Sequence, residues 1–180
     1  MEIAVLGQLE LRDRAGEAVP VAGARLRTLL ILLALDVGRT VSADRLIDGI
    51  WGDEPPAAAA NALQALISRL RRAGLTIEAA PTGYRLVLDT ESVDAHRFVR
   101  LAMTRPAEAL TLWRGDLDFP EASRPEAVNL TRLRLSAQRT VLAERVRRGD
   151  DVTAELDALV QAHPLDEPLT GLLMRAHAAA

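Results

Sequence analysis

The sequence predicts two halves of different class, an α+β half over residues 1–90 and an all-α half over residues 91–180. Three observations carry that prediction. Short β-like runs broken by glycine and proline open the chain. A strand–turn–strand pattern closes the first half. Beyond Asp89, Thr90 and Glu91 the apolar pattern takes the helical period throughout.

The opening runs are residues 3–6, 9–11 and 19–21, separated by Gly7 and by Asp13-Arg-Ala-Gly16, and they predict a meander of small strands. A helix follows over residues 24–36. Leu26, Leu29, Leu30 and Leu33 form one stripe, while Ile31, Leu32 and Leu35 fill the other sides, so this helix is expected to be buried nearly all round. Gly38 supplies its stop. Ser42 is placed to N-cap a short helix that carries Leu46, Ile47 and Ile50 and ends at Trp51 and Gly52. Pro55 and Pro56 open the next helix, over residues 57–73, because proline is tolerated in a first turn. Residues 75–88 read as a hairpin around Pro81, Thr82 and Gly83. Strands, three helices and a closing hairpin are the order of a winged helix-turn-helix domain.

Residues 89–92 are polar, lie between two hydrophobic patterns and predict a linker. Helical segments follow at 94–103, 106–113, 126–148, 152–162 and 167–179, punctuated by Pro106, Gly115, Pro120, Pro125, Gly149 and Pro164. Consecutive amphipathic helices with short connectors predict antiparallel helical hairpins stacked side by side, a TPR-like arrangement, without a close sequence repeat. His163 is expected to cap the helix that precedes Pro164.

The helix over 57–73 carries the functional signal. Leu63, Leu66, Ile67 and Leu70 fall at i, i+3, i+4 and i+7 and share one face. Asn61, Ala65, Ser68 and Arg72 point almost directly away from it, with Gln64 and Arg71 on one flank and Arg69 on the other. Those side chains suit base edges and phosphates, and the small residues between them allow close approach. An ordinary solvated helix would show Glu and Lys on that face, and this one shows neither. The pattern predicts a DNA-recognition helix, with a surface helix bearing incidental arginines as the plainer reading. Arg25 and Arg27 open a buried helix, either as solvated ends or as phosphate contacts. Thr82, Tyr84 and Arg85 are placed for a wing, although Tyr84 can equally pack on the core. Trp51 reads as a core anchor.

Composition narrows the rest. The formal net charge is −3, with −1 in residues 1–90 and −2 in residues 91–180, so attraction to DNA must be local. Residues 61–88 supply it, with four Arg against one Glu. The absence of cysteine excludes thiolate metal sites and a Cys nucleophile. His96, His163 and His177 are scattered, no Gly-rich phosphate loop appears, and Asp116 and Asp118 read as a turn, so neither an enzyme nor a cofactor is expected. Aromatic residues make up 3%, too few for base stacking on single strands. The N-terminus lacks the pattern of a signal peptide and the longest apolar run, residues 29–35, is too short for a bilayer, so a cytoplasmic protein without a membrane partner is expected.

Taken together, Val5-Leu-Gly-Gln-Leu-Glu10, Arg25-Leu-Arg-Thr-Leu-Leu30, Val41-Ser-Ala-Asp-Arg-Leu-Ile47 with Trp51 and Gly52, Asn61-Ala-Leu-Gln64, Ser68-Arg-Leu-Arg-Arg72 and Gly83-Tyr84 form a specific set. So do Asp94, Arg97-Phe98, Leu112-Trp-Arg-Gly115 and Ala162-His-Pro-Leu165 in the second half. The chain resembles the Streptomyces antibiotic regulatory protein family, an OmpR/PhoB-type winged helix followed by a bacterial transcriptional activator domain. The resemblance implies an activator of antibiotic and other secondary-metabolite genes that binds double-stranded DNA at direct repeats, as a homodimer there, and contacts RNA polymerase through its sigma subunit. Carried over by position, it implies DNA contacts from Asn61, Gln64, Ser68, Arg69, Arg71 and Arg72, with Arg25 and Tyr84 as accessory contacts, to which the hairpin reading adds Arg85. Two departures stand out. The segment from Phe98 to Trp113 is shorter than the family's helical hairpin. The chain also stops at Ala180, which predicts a shortened or truncated second half with Leu172, Leu173 and Met174 on an uncovered edge. The alternative is a helical interaction module whose winged helix has become a docking surface.

Overall fold

The computed structural model describes residues 1–179. Strands β1 (Glu2–Ala4) and β2 (Glu10–Arg12) pair antiparallel with Ile3 opposite Leu11. The period of two sends both of these side chains inward, where they are buried. Residues 19–21 do not add the expected third strand. Ala18 alone bridges to Arg12, and Pro20 has no N–H with which to extend a ladder.

Helix α1 (Ala24–Leu35) is buried at Leu26 and continuously from Leu29 to Ala34, as its apolar run predicts. A short strand β3 (Thr40–Ser42) precedes α2 (Ala43–Trp51). Three residues are too few for alternation to register, so β3 has no readable signal in the sequence. Ser42 caps α2 as expected, its hydroxyl accepting from the Arg45 N–H at 3.2 Å. Helix α3 (Ala59–Arg72) and the hairpin of β4 (Ile77–Ala80) and β5 (Gly83–Leu86) complete the winged helix-turn-helix. The sheet order is β3-β5-β4, antiparallel throughout, so β4 is an outer strand.

Gly83 is not in the hairpin turn. Pro81 and Thr82 form that turn, and Gly83 lies in β5 opposite Ser42. Its role is close approach: a Cβ there would stand 1.9 Å from the Val41 carbonyl oxygen.

Beyond residue 90 the chain is helical, with α4 (Asp94–Ala102), α5 (Pro106–Leu110), α6 (Arg124–Arg148), α7 (Thr153–Ala162) and α8 (Glu167–Ala179). Helix α5 ends three residues earlier than predicted. The Leu112 and Trp113 amides donate three residues back, and the Arg114 N–H leaves the helix to donate to the Leu6 carbonyl at 2.8 Å. Helix α6 begins at Arg124 with Pro125 in its first turn. His163 is the C-cap of α7, its N–H donating to Leu159 and Val160.

Residues 89–92 are not a free linker. Thr90–Ser92 form a 3-10 turn, and Val93 and Asp94 directly after it are buried. One hydrophobic cluster runs from Ile3 and the α1 leucines through Leu63, Ile67 and Leu70 to Phe98, Leu101, Ala109 and Leu130. It crosses residue 90 without a break. Asp94 closes the seam. Its carboxylate accepts from the Val5 N–H at 2.7 Å and the Leu6 N–H at 3.0 Å, with the Arg114 guanidinium 3.5 Å away. A second cluster, Leu142, Val152, Leu156, Leu169, Leu172 and Ala176, joins the far end of α6 to α7 and α8. Leu172, expected on an open edge, is therefore buried and Leu173 half-buried, while Met174 is 68% exposed.

Candidate nucleic-acid interface

The apolar stripe of α3 sets its orientation. Leu63, Leu66, Ile67 and Leu70 are buried against α1 and α2, which turns Asn61, Gln64, Ala65, Ser68, Arg69, Arg71 and Arg72 outward, all exposed. Arg69, Arg71 and Arg72 occupy the last turn, where the helix dipole favours positive charge.

The three arginines part company in their contacts. Among the described residues Arg72 makes only a long bond of 3.4 Å back to the Ser68 carbonyl. Arg69 donates through Nη2 to the Ala22 carbonyl at 2.9 Å, tying α3 to the loop before α1. Arg71 donates through Nε and Nη2 to the Ile77 carbonyl, at 2.9 and 2.6 Å. The helical phase gave each side chain its direction but not these partners, which lie on other elements.

Arg25, in the first turn of α1, is exposed and its guanidinium lies over the Trp51 ring, 5.9 Å from the centroid. Trp51 is half-buried and packed on the core, as expected of an anchor. Arg27 is half-buried and paired with Asp118 at 3.1 Å. In the hairpin Thr82 is exposed at the turn, and Arg85 is exposed but paired with Glu78 at 2.5 Å across β4 and β5. Tyr84 is half-buried, with its side chain packed on the core opposite Val41. Asn61, Gln64, Ser68 and Arg72 thus share one open face with Arg69 and Arg71 on its flanks, while Tyr84 is largely drawn inward. Asp94 is among the residues that carry the family resemblance, but its role in the seam escaped the sequence, because its partners lie 88 and 89 positions earlier.

Two family models divide the chain between them. The model described as "transcriptional regulatory protein, C terminal" matches residues 19–87, and the bacterial transcriptional activator domain matches residues 85–180. The transcriptional regulator RedD of Streptomyces coelicolor is 33% identical over 97% of this chain and 58% of its own length. The regulatory protein DnrI of Streptomyces peucetius is 30% identical over 97% of this chain and 76% of its own. The chain belongs to the Streptomyces antibiotic regulatory protein family.

The fold agrees with that membership. The solved structure of the regulator EmbR of Mycobacterium tuberculosis, in complex with a low-affinity phosphopeptide, superposes with a TM-score of 0.85 at 29% identity, covering 99% of this chain and 54% of that one. The chain thus spans between about half and three quarters of the length of these relatives. The family's named members are regulators of transcription. No helix among the described residues is long and apolar enough to cross a membrane.

Proposed function

We propose that this protein is a sequence-specific DNA-binding transcriptional activator of secondary-metabolite genes. On this reading α3 recognises promoter direct repeats, two copies sit side by side on them as a homodimer, and the helical half recruits RNA polymerase through its sigma subunit. The observation that carries the reading is the outer face of α3. Asn61, Gln64, Ala65, Ser68 and Arg72 are exposed on a helix whose other side is seated in the core, and no acidic residue stands among them. Asn61 and Gln64 have the donor–acceptor pairs that match adenine, and Arg72 offers a fork to guanine. On this reading Arg25, Arg69, Arg85 and the exposed part of the half-buried Tyr84 supply contacts to the DNA backbone, which position the domain without reading sequence. Arg71 stands on the flank opposite Arg69, with its fork already occupied.

Fluorescence anisotropy on duplex DNA at several salt concentrations tests this. With a net charge of −3, phosphate contacts are confined to one local surface. The log of the affinity should fall against log salt with a slope of about −3 to −6, at roughly 0.9 per phosphate neutralised. On a duplex selected from a random pool, Arg72→Ala should narrow the preference over scrambled DNA by about 1–3 kcal/mol. A wild-type protein that fails to bind any duplex at low salt would favour the interaction-module alternative instead.

A further inference from the structure

The geometry points to Arg71 as a positioning residue. It holds the wing against the recognition helix by the open edge of β4, and it is not a neutraliser of phosphate.

The local chain path prepares this contact. Helix α3 ends in a Schellman motif: Leu75 N–H donates to Leu70, Gly74 N–H donates to Arg71, and Gly74 sits at φ +96°. That left-handed residue reverses the chain, so β4 runs back past the last turn of α3. Ladder bonds in an antiparallel pair fall on alternate residues. The Val87 N–H donates to the Thr76 carbonyl, so Thr76 faces β5 and the next carbonyl, that of Ile77, faces the open side. Both bonds of the Arg71 fork land on that oxygen.

Strand β5 is held on both sides, by β3 and by β4, whereas β4 has no strand beyond it among the described residues. On that side the Arg71 fork takes the Ile77 carbonyl, while the Ile77 side chain, which leaves the sheet plane, is buried in the core. A two-stranded hairpin is only marginally stable by itself, so its angle to α3 depends on such ties. The fork also occupies an acceptor that an open edge would otherwise present to another strand. Lysine can replace the charge of Arg71 but not the planar fork, which separates the two roles chemically.

The consequence for affinity rests on the DNA-binding reading, while the consequence for the hairpin does not. Hydrogen–deuterium exchange by mass spectrometry on the full chain reads the second. Arg71→Ala and Arg71→Lys should both speed amide exchange across residues 76–86, by roughly 5- to 30-fold where exchange proceeds by local opening. Binding to a random-sequence duplex reads the first. Both variants should keep the wild-type salt slope, whereas Arg69→Ala should flatten it by about one unit. Unchanged exchange in both variants would overturn the proposal. So would a slope lowered by about 0.9 in Arg71→Ala and restored in Arg71→Lys, the mark of a phosphate contact. Arg71→Lys carries both readouts even where Arg71→Ala fails to fold. If the wild type binds no duplex, the DNA-binding reading falls, and the exchange result alone decides whether Arg71 holds the wing.

Discussion

Asp94→Ala is expected to cost about 2–5 kcal/mol of folding stability, because it strands two buried backbone donors and the charge that faces them. Asp94 is 3% exposed and its carboxylate accepts from both Val5 and Leu6, so its removal takes the acceptor from two buried amides at once. Arg114 would keep its bonds to the Gln8 carbonyl and Glu10 but lose its buried counter-charge. Against a total stability of about 5–15 kcal/mol, such a loss is large. Urea unfolding measures it, and a loss below about 0.5 kcal/mol, the range of ordinary surface substitutions, would mean that the seam does not depend on this side chain.

The same group sets a pH dependence. Burial pushes the Asp94 carboxyl above the ordinary aspartate range, and the Val5 and Leu6 amides and Arg114 only partly oppose that. A raised value means that the folded protein holds the proton more tightly than the unfolded chain does. The titrating part of its contribution is therefore full below the ordinary aspartate value and is lost as pH rises through the raised one. The stability gap between wild type and Asp94→Ala should be widest in acid and narrow towards neutrality. A gap that widens with pH would show the carboxylate form to be the favoured one.

Gly83→Ala should be nearly as damaging, although it adds a single methyl group. The new Cβ would meet the Val41 carbonyl oxygen at 1.9 Å and the Ser42 Cα at 2.8 Å, both backbone atoms that have no rotamer to escape into. Strand β3 must then move off β5. That movement strains the Ala43 N–H bond to the Thr82 carbonyl and disturbs Ser42, the cap of α2. Overpacking of this kind costs typically about 1–3 kcal/mol. The melting temperature and the exchange of residues 40–42 report it together. Wild-type values in both would mean that β3 yields without cost.

The helices were legible to the extent that their periodicity was long. The α1 run of apolar residues and the i, i+3, i+4, i+7 stripe of α3 dictate burial directly, and the outward face of α3 follows from the same geometry. Ser42 was legible as a cap because capping is chemistry within one turn. What escaped was set by distant chain. Strand β3 exists because β5 pairs with it, and α5 stops short because the Leu6 carbonyl takes the Arg114 amide. The candidate interface divides in the same way. Phase indicates which side chains of α3 leave the core, but it cannot reveal that Arg69 meets Ala22 and Arg71 meets Ile77.

Helix α6 belongs to both hydrophobic clusters, with Leu130 in the first and Leu142 in the second. It runs unbroken over 25 residues, and at about 1.5 Å per residue it acts as a strut between them. A strut fixes distance and rotation together, which a flexible tether does not. Any surface on α7 and α8 therefore keeps one span and one bearing relative to α3. On the proposed reading, a promoter is measured for the spacing and helical phase between operator and polymerase as well as for its bases.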